Sequence, residues 1–184
     1  MPVDGTRKLG PDNARLTVHT KRTGAVAKAG HDLTMEVQAW EGTLDLGDTP
    51  SVSLVVDSRS FKVLKGTGGI QALDDDDKRN IEQTIDDEVL LGRKIKFQST
   101  DVKVDGNHLT VTGELRLMMN SRPLTFELDL SDDGRLTGSA VVAQTGWGMK
   151  PYTALFGTLK VADVVEVTID ALIPAIAPVG ERNG

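Results

Sequence analysis

The sequence predicts an all-β fold, an antiparallel barrel or sandwich of about eight or nine strands with one inserted helix. Three observations predict it. Apolar residues alternate with polar ones through most of the chain, most plainly in LTVTGELRLMMNSRPLTFELDL at residues 109–130. Period two is what a strand with one buried face requires. Turn-forming clusters separate these runs at meander spacing: Gly47-Asp48-Thr49-Pro50, Asp105-Gly106-Asn107 and Asp132-Asp133-Gly134. Finally, a single stretch near residues 74–91 drops the alternation for apolar residues at every fourth position.

In chain order, Leu16 and Val18 mark a strand near Ala14–Thr23, and Leu33, Met35, Val37 and Ala39 form one face of a second. The apolar face then changes parity to Trp40, Leu44 and Leu46, with Gly42 among them. Such a change of phase predicts a bulge or sharp bend, the device that lets a sheet curl. Val52, Leu54 and Val56 make a third strand. Ile81, Ile85 and Val89 then give a helical stripe over Asp74–Leu91. Asp74–Asp77 place negative charge at its start, and Gly92 stands where a C-terminal cap belongs. Ile95 and Phe97 open the next strand, whose apolar parity later shifts to Val102 and Val104. The hairpin at 109–130 follows, its ridges joined by a turn expected at Asn120-Ser121-Arg122-Pro123. Leu136, Ala140 and Val142 come next, then Leu159 and Val161, and last Val165, Val167, Ile169 and Ala171. Residues 1–184 are expected to form one domain with its core at about 14–173, leaving residues 1–12 and 174–184 loose.

Composition narrows the function. A net charge of −6 and a pI near 5.1 argue against nucleic acid and anionic membrane surfaces, whose binding rests on Lys and Arg. Aromatic residues make up only 4%, too few for base-stacking platforms. No apolar run is long enough for a membrane span. Without cysteine there is neither a disulfide nor a thiolate metal site. No secretory pattern is visible at the start, so cytoplasmic residence is expected. The expected partner is a small molecule or another protein.

Few motifs carry chemistry. Gly66-Thr67-Gly68-Gly69 lacks the Lys-Ser/Thr of a phosphate loop and has Gln71 where a dinucleotide fingerprint needs glycine, so it reads as a flexible loop. Asp74-Asp75-Asp76-Asp77 lacks the alternation of a calcium loop and reads as a solvated helix start. His19, His31 and His108 have no ligand spacing, and neither a metal nor a cofactor is expected. Gly30-His31-Asp32 lies between two strands, where a barrel would open. It suits either a turn or the polar head of a ligand. Thr145–Tyr152 gathers Trp147, Met149 and Tyr152 among glycines, either lining an apolar opening or packing over the barrel end. No Gly-x-Ser-x-Gly elbow is present.

Several stretches together resemble the YceI-like family of polyisoprenoid-binding, lipocalin-like barrels. They are Trp40-Glu41-Gly42-Thr43-Leu44-Asp45-Leu46, the strand from Ser51 to Ser60, Ile95-Lys96-Phe97-Gln98-Ser99-Thr100, and the opening hairpin with Val111-Thr112-Gly113-Glu114-Leu115 in register with Arg122-Pro123-Leu124-Thr125. The likeness spans roughly residues 14–173; Lys78–Arg93 departs from the family pattern. The resemblance implies an antiparallel lipocalin-like barrel of about eight strands with one inserted α-helix at roughly residues 74–91. It also implies non-catalytic binding, carriage or storage of a long-chain lipid, a polyisoprenoid or a fatty-acid-like molecule. Burying one CH₂ is worth about 0.8 kcal/mol, so a twenty-carbon chain offers on the order of 15 kcal/mol gross before association costs. The wall would then comprise Met35, Val37 and Phe97, the hairpin residues Leu115, Leu117, Leu124, Phe126 and Leu128, and Val142. His31, Trp147 and Tyr152 would stand near the opening. Two alternatives are an isomerase or hydrolase using His31 and Asp32, and a packed structural barrel working through its edges or acidic helix, including as a homodimer.

Overall fold

A computed structural model describes residues 5–25, 27–154 and 159–173. Eleven strands form one antiparallel sheet: β1 (Thr6–Leu9), β2 (Ala14–Thr20), β4 (Asp32–Val37), β5 (Trp40–Asp45), β6 (Ser51–Val56), β7 (Phe61–Thr67), β8 (Ile95–Asp105), β9 (His108–Leu117), β10 (Asn120–Leu130), β11 (Arg135–Ala143) and β14 (Val164–Leu172). Their spatial order is β1-β5-β6-β8-β9-β10-β11-β14-β2-β4-β7. Three short strands, β3 (Arg22–Thr23), β12 (Thr153–Ala154) and β13 (Leu159–Val161), pair in a separate small sheet.

Two bent strands curl the large sheet into a barrel. β4, near one end of the sheet order, runs into β5, near the other, through Gln38 and Ala39 alone. β6 likewise continues into β7 through Asp57 and a single 3₁₀ turn at Ser58–Ser60. The two corners are tied together: Gln38 N–H donates to Ser60 O at 3.0 Å, and Asp57 N–H donates to Ala39 O at 3.0 Å. Counting each bent pair as one strand leaves eight long strands plus the short β1, which is how the expected eight relates to the observed eleven.

The parity change lies at this corner and not at Gly42. Val37 and Trp40 are buried while Gln38 and Ala39 between them are exposed, so Ala39, expected on the inner face, points out. The shift expected in β8 is a bulge, where the register against β9 slips between Ser99 and Asp101. Inside the barrel, Phe97 lies over Gly113. A Cβ there would sit 2.6 Å from the Phe97 ring, so glycine is what lets ring and strand pack together.

Four expectations need correction. The hairpin turn is Met118-Met119, with Leu117 paired to Asn120 and Met118 left-handed at φ 59°. Asn120–Pro123 belongs to β10, whose pairing with β11 begins only at Glu127, so Pro123 sits on a locally single-sided strand where its missing N–H is tolerated. Residues 6–9 are not loose, since β1 pairs with β5. The strand expected to run to Thr23 ends at Thr20. The alternation Phe61-x-Val63 is the start of β7, a strand the turn-and-parity reading passed over because Lys62, Leu64, Lys65 and Gly66 blur it. The expectation for residues 174–184 falls outside the described residues.

Helix α1 (Asp75–Thr84) begins at a reciprocal capping box. The Asp74 carboxylate accepts from Asp77 N–H at 2.8 Å, and Asp77 accepts from Asp74 N–H at 3.1 Å. The acidic first turn suits the positive end of the helix dipole. A wider π-type turn at Ile85–Leu90 ends in left-handed Leu91 and Gly92.

Candidate functional site

The barrel has two unlike ends. At the end holding the β8–β9 and β10–β11 turns, Leu44, Leu109, Val111, Leu130, Leu136 and Ile173 are almost completely buried. They pack across the barrel and close it. Above this plug lies a cavity of about 550 Å³. Leu44 and Leu136 form its floor, while Leu109, Val111, Leu130 and Ile173 lie beyond it. Its walls are predominantly apolar, including five of the seven aromatic side chains of the chain, and its volume is in the size range of small-molecule sites. The Phe97 and Phe126 rings meet on one wall, tilted by 59° with centroids 5.2 Å apart.

The opposite end is roofed by α1, the π-type turn and loops. Ile81, Ile85 and Val89, the stripe read as helical, face the cavity, so the amphipathic pattern serves to cover the barrel. Exposed Asn80, Tyr152 and Lys160 also border it, marking this end as the mouth.

Of the residues singled out for the wall, Met35, Val37, Phe97, Leu115, Leu117 and Leu124 border the cavity, as do Phe126, Leu128 and Val142. His31 and Tyr152 border it at the mouth. Trp147 does not. It is buried behind the wall, where its indole N–H donates to Leu115 O at 2.8 Å and its carbonyl accepts from Asn120 Nδ2 at 2.6 Å. Trp147 therefore plugs the gap where β10 lacks β11, a structural role that the cluster of aromatics could not reveal. The reading missed α1 as part of the site, along with the bent-strand residues Trp40 and Phe61.

Polar groups gather toward the mouth. Arg22 borders the cavity, and its Nη1 donates to Gly30 O at 3.0 Å and Thr67 O at 2.9 Å. His31 Nε2 meets Gln71 O at 2.6 Å. Asp32 turns elsewhere: its Oδ1 accepts from Arg22 N–H at 2.8 Å and its Oδ2 lies 3.7 Å from Lys21 Nζ. His31 and Asp32 thus serve separate partners. The Gly66–Gly69 loop packs over Arg22 and His31, so it is not a free loop. Two buried groups bordering the cavity, the Thr20 hydroxyl and the Trp40 indole N–H, have no hydrogen-bond partner among the described residues.

The other histidines lie apart. His19 is half-buried between Thr34 and Thr168, and His108 is on the outer surface against Asp129 (2.7 Å) and Glu127 (3.4 Å). Hydrogen bonds first to Asp129 and then to Glu127 raise the His108 pKa above the ordinary histidine value. Among the described residues no cluster of His, Asp and Glu is placed to hold a metal ion, and no helix is long and apolar enough to cross a membrane.

A hollow antiparallel barrel, plugged at one end and roofed by a helix at the other, belongs to the lipocalin-like class of binding barrels. A family model for the YceI-like domain matches residues 9–172, and the chain belongs to that family. BcnA of Burkholderia cenocepacia shares the fold with a TM-score of 0.61 at 12% identity, over 87% of this chain and 96% of that one. Two mutants of the CJ YCEI protein, one with a monobromobimane guest, superpose with a TM-score of 0.57 at 9% identity, over 76% of this chain and 83% of theirs. No curated protein matches the sequence.

Proposed function

We propose that this protein binds and carries a long-chain apolar or amphiphilic molecule, isoprenoid or fatty-acid-like, inside its barrel and without catalysis. The observation that carries the reading is the blind-ended cavity of about 550 Å³. Its inward side chains border open space and do not meet across the middle, which a fully packed structural barrel would require. The lining is mostly aliphatic, with Trp40, Phe61, Phe97, Phe126 and Tyr152 among it, and such an apolar wall suits a hydrocarbon chain. His31 and Asp32 hydrogen-bond to different backbone groups, so nothing in the arrangement calls for an acid–base pair.

The test is purification under native conditions, organic extraction and mass spectrometry. A stoichiometric apolar molecule is expected, and it should be absent from folded Phe126→Asp protein, whose wall would carry a charge. Protein that arrives empty and takes up no added long-chain lipid would reject the proposal. A folded Phe126→Asp variant that keeps its lipid would reject this wall.

A further inference from the structure

We infer that the guest is an amphiphile with an anionic head, a carboxylate or phosphate monoester, held at the mouth by Arg22 together with Lys160, beside His31. This rests on the reading that the barrel holds a hydrocarbon chain, and it adds what that chain carries at its end.

The charge pattern of the lining is the first ground. The chain holds 27 acidic residues against 21 Lys and Arg, yet no Asp or Glu borders the cavity among the described residues. Apart from the Tyr152 phenol, the ionisable groups that do border it are Arg22, His31 and Lys160. Among the described residues, this acidic protein thus borders the mouth of its cavity with two cations, Arg22 and Lys160, and no carboxylate.

The state of Arg22 is the second. Arg22 is half-buried, and among the described residues the acceptors on its guanidinium are two backbone carbonyls, both on Nη1. Carbonyls orient a guanidinium without neutralising it. The nearby carboxylate, Asp32, is taken by the Arg22 amide and by Lys21. The remaining edge of the fork, Nε and Nη2, is the geometry that grips a planar carboxylate or a phosphate through two parallel bonds.

Third, the loop is shaped to hold these groups in place. Gly68 and Gly69 are left-handed, at φ 79° and 74°. A Cβ on Gly68 would lie 1.4 Å from Arg22 Nη1, and one on Gly69 would lie 2.4 Å from His31 Nε2. Only glycine lets the backbone close onto both side chains.

The experiment compares three ligands of equal chain length: tetradecanoate, tetradecyl phosphate and tetradecanol. Each displaces the neutral fluorophore N-phenyl-1-naphthylamine from delipidated full-length protein at low salt and neutral pH. At least one anion should bind about tenfold or more tightly than the alcohol, as a charge-assisted bidentate contact gives. Which anion wins tells the two head groups apart. In Arg22→Gln the ratio of anion to alcohol affinity should collapse toward one, and Arg22→Lys should keep part of the advantage. Equal affinity of all three for the wild-type protein overturns the anionic head and leaves lipid binding standing, and this arm needs no variant to fold. Failure of all three to displace the fluorophore overturns the hydrocarbon reading, and the head group with it.

Discussion

Two leucines separate a hollow barrel from a packed one. Leu130 is 1% exposed in the plug, beyond the cavity floor, and is paired across the sheet with Leu136. Leu124 is half-buried and already borders the cavity. Truncating Leu130 to alanine removes its burial and leaves a new void among immobile neighbours, at a cost of about 3–4 kcal/mol. Truncating Leu124 only enlarges a space that exists. With the void term absent and the burial incomplete, the cost is about 1 kcal/mol. The difference, about 2–3 kcal/mol, corresponds to melting temperatures separated by roughly 4–12 °C for a domain of this size. Calorimetry on delipidated Leu130→Ala and Leu124→Ala proteins measures it directly. If both variants lose the same stability, Leu124 packs against atoms and not open space, and the argument for an interior guest fails. A long-chain ligand should in turn raise the melting temperature of the wild type and of Leu130→Ala by similar amounts.

Other perturbations follow from single contacts. Trp147→Phe keeps the ring but leaves the Leu115 carbonyl without its donor, and should cost about 1–3 kcal/mol in urea unfolding. Asp74→Ala removes one side of the capping box and should cost about 1 kcal/mol, with a weaker helical signal in far-UV circular dichroism. His108 gains its proton more readily folded than unfolded, so its contribution to stability is complete below the ordinary histidine value of 6.5 and is lost as pH rises through the higher folded value. The gap in urea midpoint between wild type and His108→Gln should therefore be largest near about pH 5.5 and shrink by about pH 9. A histidine NMR titration should place His108 above the ordinary value.

Alternation exposed much of this fold, and the places where it failed share a cause. Period two states which residues share a face, and it located the hairpin ridges, the β8 bulge and the helical stripe. It cannot state what stands opposite. Leu128 and Leu130 are indistinguishable by parity, yet Leu128 borders the cavity and Leu130 lies in the plug, because the distinction depends on which strands cross above them. The same limit hid Trp147, an aromatic whose place depends on a gap between β10 and β11 set by residues far away in sequence. The hairpin turn was misplaced because Asn-Ser-Arg-Pro carries stronger turn chemistry than Met-Met, and register with β9 overrode it. Gly30 and His31 border the mouth of the cavity, and Asp32 does not. That Arg22, an ordinary strand residue in sequence, stands beside them followed only from the pairing of β2, β4 and β7.

The packed leucines at one end of the barrel have a consequence for traffic. Whatever slides in must back out by the same route, tail first in and head first out. The depth from roof to floor then works as a gauge: a chain that reaches Leu44 and Leu136 before its polar terminus arrives at the rim is held with that terminus stranded outside. Shorter ones leave the rim contacts made and the bottom unfilled. If the guest is the long-chain molecule proposed above, sorting by length follows from where the stopper sits, and moving it by one side chain should move the preferred carbon number.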